Sequence, residues 1–236
     1  MYLESNRLRD RILPASVMKN FVQQHRLAAF FALAYALSWY PWILALAHGR
    51  TSGPNPLGPL VAGIIMTAVV YGRAGLREFV GRIVRARVAA RWYAVALIAP
   101  ALLLAVAAAL TLCFANGLEI SGLSPARLRE LPDRFLFILL FIGLGEEPGW
   151  RGFALAQLQT KHSPLIASLI LAPLWALWHL PLMGNEFPWP IVPAFLLSIC
   201  GGTLLQTWIF NASKGSVLLP MLFHTTINTL GAGTIS

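Results

Sequence analysis

Six side chains in this sequence combine the types and spacings that hydrolytic chemistry needs. Glu146 and Glu147 stand side by side, Arg151 follows Glu147 by four residues, His179 stands alone, and Asn228 follows His224 by four. On a helix, residues four apart share a face. Glu147 and Arg151, with the acid N-terminal, have the favoured orientation of an intrahelical ion pair, so they read as a brace. Glu146 lies about 100° around the helix from Glu147 and has no such partner, which leaves a carboxylate free to take and return a proton. His224 and Asn228 put an imidazole beside an amide. That pair can hold an oxyanion, or the histidine can bind a metal while the amide orients it. Plainer readings exist for each part: both acids balance Arg151, Trp175 simply packs on His179, and Asn and His bind helices together. Taken jointly, acid, two imidazoles and amide make a water-activating site.

The elements that must position these groups are membrane spans. Of 236 residues, 57% are hydrophobic and 11% charged; Lys and Arg number 18 against 9 acids, for a net charge of +9. So few polar groups exclude a disordered chain, an ordinary soluble enzyme and the solvated basic face of a nucleic-acid binder. The two cysteines, Cys113 and Cys200, rule out a disulfide-stapled module and read as inert core residues. Apolar runs predict an all-α, polytopic bundle of seven to eight transmembrane helices. Seven are delimited: Leu27–Ala47, Leu57–Gly72, Trp92–Ala115, Phe135–Gln159, Ser163–Met183, Pro190–Phe210 and Ser216–Gly233. The first ends in Ala45-Leu46-Ala47, as a cleavable signal would, but it is too long for one and carries Pro41; it reads as an uncleaved anchor.

Basic residues set the expected orientation. With a cytoplasmic N-terminus, 13 of the 18 fall on the cytoplasmic side, from Arg7 through Arg26, Arg73 through Arg91, Lys161 and Lys214; Arg50, Arg127, Arg129 and Arg134 lie opposite. Within Gly72–Ala90, Leu76, Phe79, Val80, Ile83 and Val84 recur at helical spacing between arginines. This predicts a helix lying in the interface with its arginines on anionic lipid phosphates. The chain divides into a basic segment, 1–26, and one transmembrane domain, 27–236. Its high Ala and Arg content suits a GC-rich bacterial genome, so the expected location is a bacterial inner or plasma membrane.

An ionisable group inside a bilayer costs about 2.5–3.5 kcal/mol, so each is a site by default. Here they converge on three spans, the fourth, fifth and seventh. Pro148 and Gly149 predict a bend beside Glu146, and with it a polar cavity open to the cytoplasmic side. No H-E-x-x-H, no G-x-S-x-G and no Asp within a span is present, which removes the zinc-helix, serine-elbow and aspartyl-dyad mechanisms. His25, His48 and His162 fall at span ends or in loops.

These residues resemble a family. Glu146-Glu147-Pro148-Gly149-Trp150-Arg151 is similar to the E-E-x-x-x-R motif of the CPBP intramembrane proteases, the CAAX-processing and bacteriocin-processing (Abi) family that includes the type II CAAX prenyl endopeptidases. Trp175 to His179 resembles its F-x-x-x-H motif, with Trp in place of Phe, and His224 to Asn228 its H-x-x-x-N motif. The matched core runs from about 135 to 230. The resemblance implies a membrane endopeptidase acting on a membrane-associated protein or peptide. Glu146 and His179 would activate water, and His224 and Asn228 would stabilise the oxyanion. It also admits a zinc ion, for which Glu146, His179 and His224 are the candidate ligands. A non-catalytic scaffold or bacteriocin-immunity protein of the same fold, and a proton-coupled transporter, are the competing readings. One geometric tension stands: the span limits put His179 deeper from the cytoplasmic face than Glu146 and His224.

Overall fold

The computed structural model describes residues 15–114 and 125–231. Arg7, Arg9 and Arg11, and the predicted span ends at Ala115 and Gly233, lie outside the described residues. What is described is a polytopic helical bundle with no β-strand among its elements. A short helix α1 (Ala15–Gln24) precedes α2 (Arg26–Ala47), α3 (Gly58–Ile83) and α4 (Ala90–Phe114). Helix α5 is a run of five consecutive pieces: Pro125–Ile138, Leu139–Gly143, Leu144–Glu147, Pro148–Leu155 and Ala156–Leu158. Then come α6 (Pro164–Trp178), α7 (Val192–Ala212) and α8 (Leu218–Gly231). Helices α2, α3, α4 and the stretch Trp189–Ala212 are long and apolar enough to cross a membrane, and α6 is a shorter apolar helix. Each predicted span has its helix. The outward faces carry large apolar side chains such as Ile98, Leu102 and Leu197, as a surface solvated by lipid requires.

The core is aromatic where α2 meets α5. The Trp150 ring stands edge-on to Phe30 at 5.7 Å between centroids and stacks on Phe31 at 6.0 Å. Helix α2 also holds α6. Tyr35 donates its hydroxyl to the Leu174 carbonyl at 2.7 Å, and Trp39 donates its indole N–H to the Trp178 carbonyl at 3.0 Å. The latter satisfies a carbonyl at a helix end, where no backbone donor follows.

Small residues let α3 and α5 touch. A β-carbon on Gly149 would collide with the Pro59 carbonyl, and one on Gly145 would lie 2.5 Å from the Pro56 carbonyl oxygen. The segment predicted as an interfacial helix is helical over part of its length: the chain turns a corner at Gly72 (φ 62°, ψ −155°) and helix resumes, but it stops at Ile83 rather than Ala90. Of its apolar stripe, Val80 and Val84 stay exposed while Phe79 is buried, with its ring against Gly63 and Gly152. Two glycines facing each other across α3 and α5 make the slot that Phe79 fills.

Basic residues gather at one end. Arg26 donates to the Tyr71 hydroxyl at 3.2 Å, and that hydroxyl donates to Gln157 at 2.7 Å. The Arg85 guanidinium donates to the Lys214 carbonyl, Ser216 donates to the Arg85 carbonyl at 2.7 Å, and the Val217 N–H bonds the Arg82 carbonyl at 2.9 Å. The start of α2, the end of α3, the end of α5 and the α7–α8 loop therefore share one side of the bundle.

Overpacking a tight backbone contact costs about 1–3 kcal/mol. Gly149→Ala is therefore expected to lower the melting temperature of the detergent-solubilised protein by several degrees. An unchanged melting curve would show that α3 and α5 do not meet at this glycine.

Candidate active site

The sequence places Glu146 and Glu147 in α5 between two widened stretches. Leu139–Gly143 and Pro148–Leu155 are π-helical, and the Leu144 N–H reaches back five residues to the Leu139 carbonyl. Pro148 has no N–H to give to a carbonyl four residues back, which disfavours an ordinary α turn there. The expected bend is thus a widening. Pro148 keeps helical angles (φ −59°, ψ −41°), and the chain continues as helix to Leu158. Such widened turns occur often at functional sites.

Glu147 is fully buried, and donors from three helices surround its carboxylate. Arg151 Nη1 lies 3.0 Å from Oε1, the brace expected from the spacing. His224 Nδ1 in α8 lies 2.7 Å from the same oxygen. Gln206 in α7, in the amide orientation that gives each atom a partner, donates to Oε1 at 3.0 Å and Oε2 at 2.9 Å. Sequence reasoning missed Gln206 because it started from ionisable groups and took an amide only where one stood a helical turn away, as Asn228 does from His224; an amide inside the apolar run Pro190–Phe210 was the available signal.

Glu146 does have a partner four residues on, contrary to expectation. Trp150 Nε1 donates to its Oε2 at 3.3 Å, and Trp175 Nε1 in α6 donates to the same oxygen at 2.9 Å. Oε1 accepts no hydrogen bond among the described residues. Glu146 is 3% exposed.

His179 forms the end of α6. Its backbone N–H bonds the Ala176 carbonyl at 3.1 Å, one residue short of the α-helical partner. The Trp175 carbonyl thereby released faces the His179 ring, with Nδ1 at 2.8 Å. A carbonyl only accepts, so Nδ1 carries the hydrogen and Nε2 presents a lone pair. The end of α6 stands beside Glu146 despite the difference in depth: Trp175, one turn before His179, bonds that acid while its ring meets the His179 imidazole. Both imidazoles stand edge-on to the Trp175 ring, His179 at 5.6 Å and 62°, His224 at 5.6 Å and 82°. The structure thus gathers Glu146, Glu147, Arg151, His179 and His224. Asn228 is half-buried one turn beyond His224 on α8, without a side-chain hydrogen bond to the described residues.

Zinc finds no ready cage here. Among the described residues no group of three His, Cys, Asp or Glu side chains is arranged to hold a metal ion. The candidate set Glu146, His179 and His224 does not form such a group. A cavity of about 330 Å³ lies further along α5 at the basic end, lined among others by Tyr71, Glu78, Arg82 and Gln157, and none of the six site residues lines it.

Fold and site belong to a polytopic helical membrane protein, and residues 130–230, under half of the chain, match the family described as type II CAAX prenyl endopeptidase Rce1-like. In particular, the chain is similar to a CAAX prenyl protease 2 from Methanococcus maripaludis, with 35% identity over 102 residues. That alignment covers 39% of this chain and 38% of the archaeal protein, so the chain spans well under half the length of the relative it matches. All six site residues fall inside 130–230.

Removing one partner of a buried ion pair is strongly destabilising, by about 3–5 kcal/mol, because a charge is left alone. Glu147→Gln is expected to lose this much in reversible unfolding in mixed micelles. Adding Arg151→Met to that variant should restore part of the loss. If the double variant is no more stable than Glu147→Gln, Arg151 is not the charge that Glu147 balances.

Proposed function

We propose that the protein is an intramembrane endopeptidase that cleaves a membrane-associated protein or peptide with a water activated by side chains. One observation carries the reading. Glu146, His179 and His224 each have one polar atom committed to a neighbour and one left over: Oε1, Nε2 and Nε2. Fixed, oriented groups with one free atom apiece are what proton transfer in a water-poor site requires.

In the proposed cycle Glu146 Oε1 takes a proton from water, with His179 Nε2 as the second acceptor that orients it. The hydroxide adds to the scissile carbonyl carbon. His224 donates Nδ1–H to Glu147, and a second proton on Nε2 is balanced by that carboxylate. Nε2–H and the Asn228 amide then hold the oxyanion. The carbon–nitrogen bond breaks, and the proton held by Glu146, or relayed through His179, goes to the leaving amine. Glu147 and Arg151 keep the frame in place. The basic end suits the cytoplasmic face of a bacterial plasma membrane, where Arg26, Arg82, Arg85 and Lys214 would meet anionic lipid headgroups.

The test compares the protein termini of membranes from cells carrying the wild-type chain, Glu146→Ala or Glu146→Gln. The expected result is a set of new termini present only with wild type, with both variants inserted at normal levels. Wild-type termini from either variant would remove Glu146 as the base. A cellular phenotype rescued by Glu146→Gln would favour the non-catalytic scaffold.

A further inference from the structure

We propose that Trp175 is a positioning residue whose indole N–H aims the reactive carboxylate and whose ring ties that carboxylate to the ion-paired frame. The proposal rests on the endopeptidase reading. Trp175 is 3% exposed and meets four of the six site residues. Its N–H is the shorter of the two donors to Glu146 Oε2, 2.9 Å against 3.3 Å from Trp150. Its face lies under the Arg151 guanidinium, whose central carbon is 4.2 Å from the ring centroid. Its edges meet both imidazoles.

The chemistry of the ring decides what is special here. Phenylalanine, the residue usual at the first position of the F-x-x-x-H motif, could fill the space, receive the cation and meet the imidazoles. It has no N–H. Without that donor Glu146 keeps only the long, intrahelical bond from Trp150, which comes from its own helix and cannot fix α6 against α5. With it, the committed oxygen is held from two helices and the free one is aimed. Glu147, Arg151, Trp175 and Glu146 then form one chain of contacts, so the frame sets where the base points. A hydrogen bond to a charged group is stronger than one between neutral groups, so the donor is worth roughly a factor of ten in rate.

Trp175→Phe separates the donor from the ring. On a peptide whose cleavage depends on Glu146, the variant is expected to lower kcat about tenfold and leave KM within about twofold, with a melting temperature lower by a few degrees but well above the assay temperature, so that the protein assayed is folded. Wild-type kcat would overturn the proposal. A lower melting temperature that fully accounts for lost activity would also overturn it, since Trp175 would then be only packing. A second readout needs no substrate. In protein with ¹⁵N-labelled indoles, Glu146→Gln should move the Trp175 and Trp150 N–H resonances, identified by their loss in Trp→Phe or Trp→Tyr variants, and leave the other six in place. A stationary Trp175 resonance would overturn the proposal even if no peptide is ever found. If no Glu146-dependent cleavage exists but the resonance moves, the endopeptidase reading fails while the contact stands.

Discussion

A fully buried carboxylate inside an apolar bundle is tenable only if donors surround it, and Glu147 recruits them from three helices. Arg151 comes from its own helix, Gln206 from α7 and His224 from α8. Each of these groups would itself be an expense in lipid if left alone. Together they are mutually satisfied, and their geometry fixes how α5, α7 and α8 sit against one another. Glu147 is therefore best understood as the knot of the fold, and its neighbour Glu146 as the acid that the knot allows to remain uncommitted on one oxygen.

Placing two adjacent acids in different roles follows from the helix itself. Glu146 and Glu147 each look one turn ahead, to Trp150 and Arg151, but about 100° apart. One meets an aromatic donor that carries no charge; the other meets a cation. Trp150 in turn is wedged against Phe30 and Phe31 of α2, and Trp175 is pressed between the arginine and the imidazoles. Rigidity at the site is thus supplied by indoles, which combine large buried area with a single directional N–H.

Much of this was legible in the chain. Runs of apolar residues gave the helices, because lipid leaves backbone groups no other partner. Four-residue spacing gave the Glu147–Arg151 brace, and the gathering of ionisable groups on three spans pointed to one site. What stayed hidden needed tertiary distance. Gln206 is a lone amide whose role appears only when α7 packs beside α5. Trp175 could be read as a packing residue, and Trp150 was given no role, because an indole donor counts only when an acceptor stands about 3 Å away. The apolar stripe of Gly72–Ala90 was readable, and Val80 and Val84 are exposed, but the slot between Gly63 and Gly152 that takes Phe79 is revealed by no local pattern. Span arithmetic set His179 deeper than Glu146, because it does not show how α6 packs on α5, where Trp175 bonds that acid and meets the imidazole.

His179 serves its own helix as well as the site: it is the end-stop of α6, closing the last turn with the same ring nitrogen that fixes its tautomer. Truncating it would erase two things in a single stroke, a proton acceptor and the hinge post on which the following Leu180–Leu182 turn swings away. Loss of activity in an alanine variant would thus confound chemistry with architecture. Asparagine, able to close the turn but not to shuttle protons, is the substitution that tells them apart.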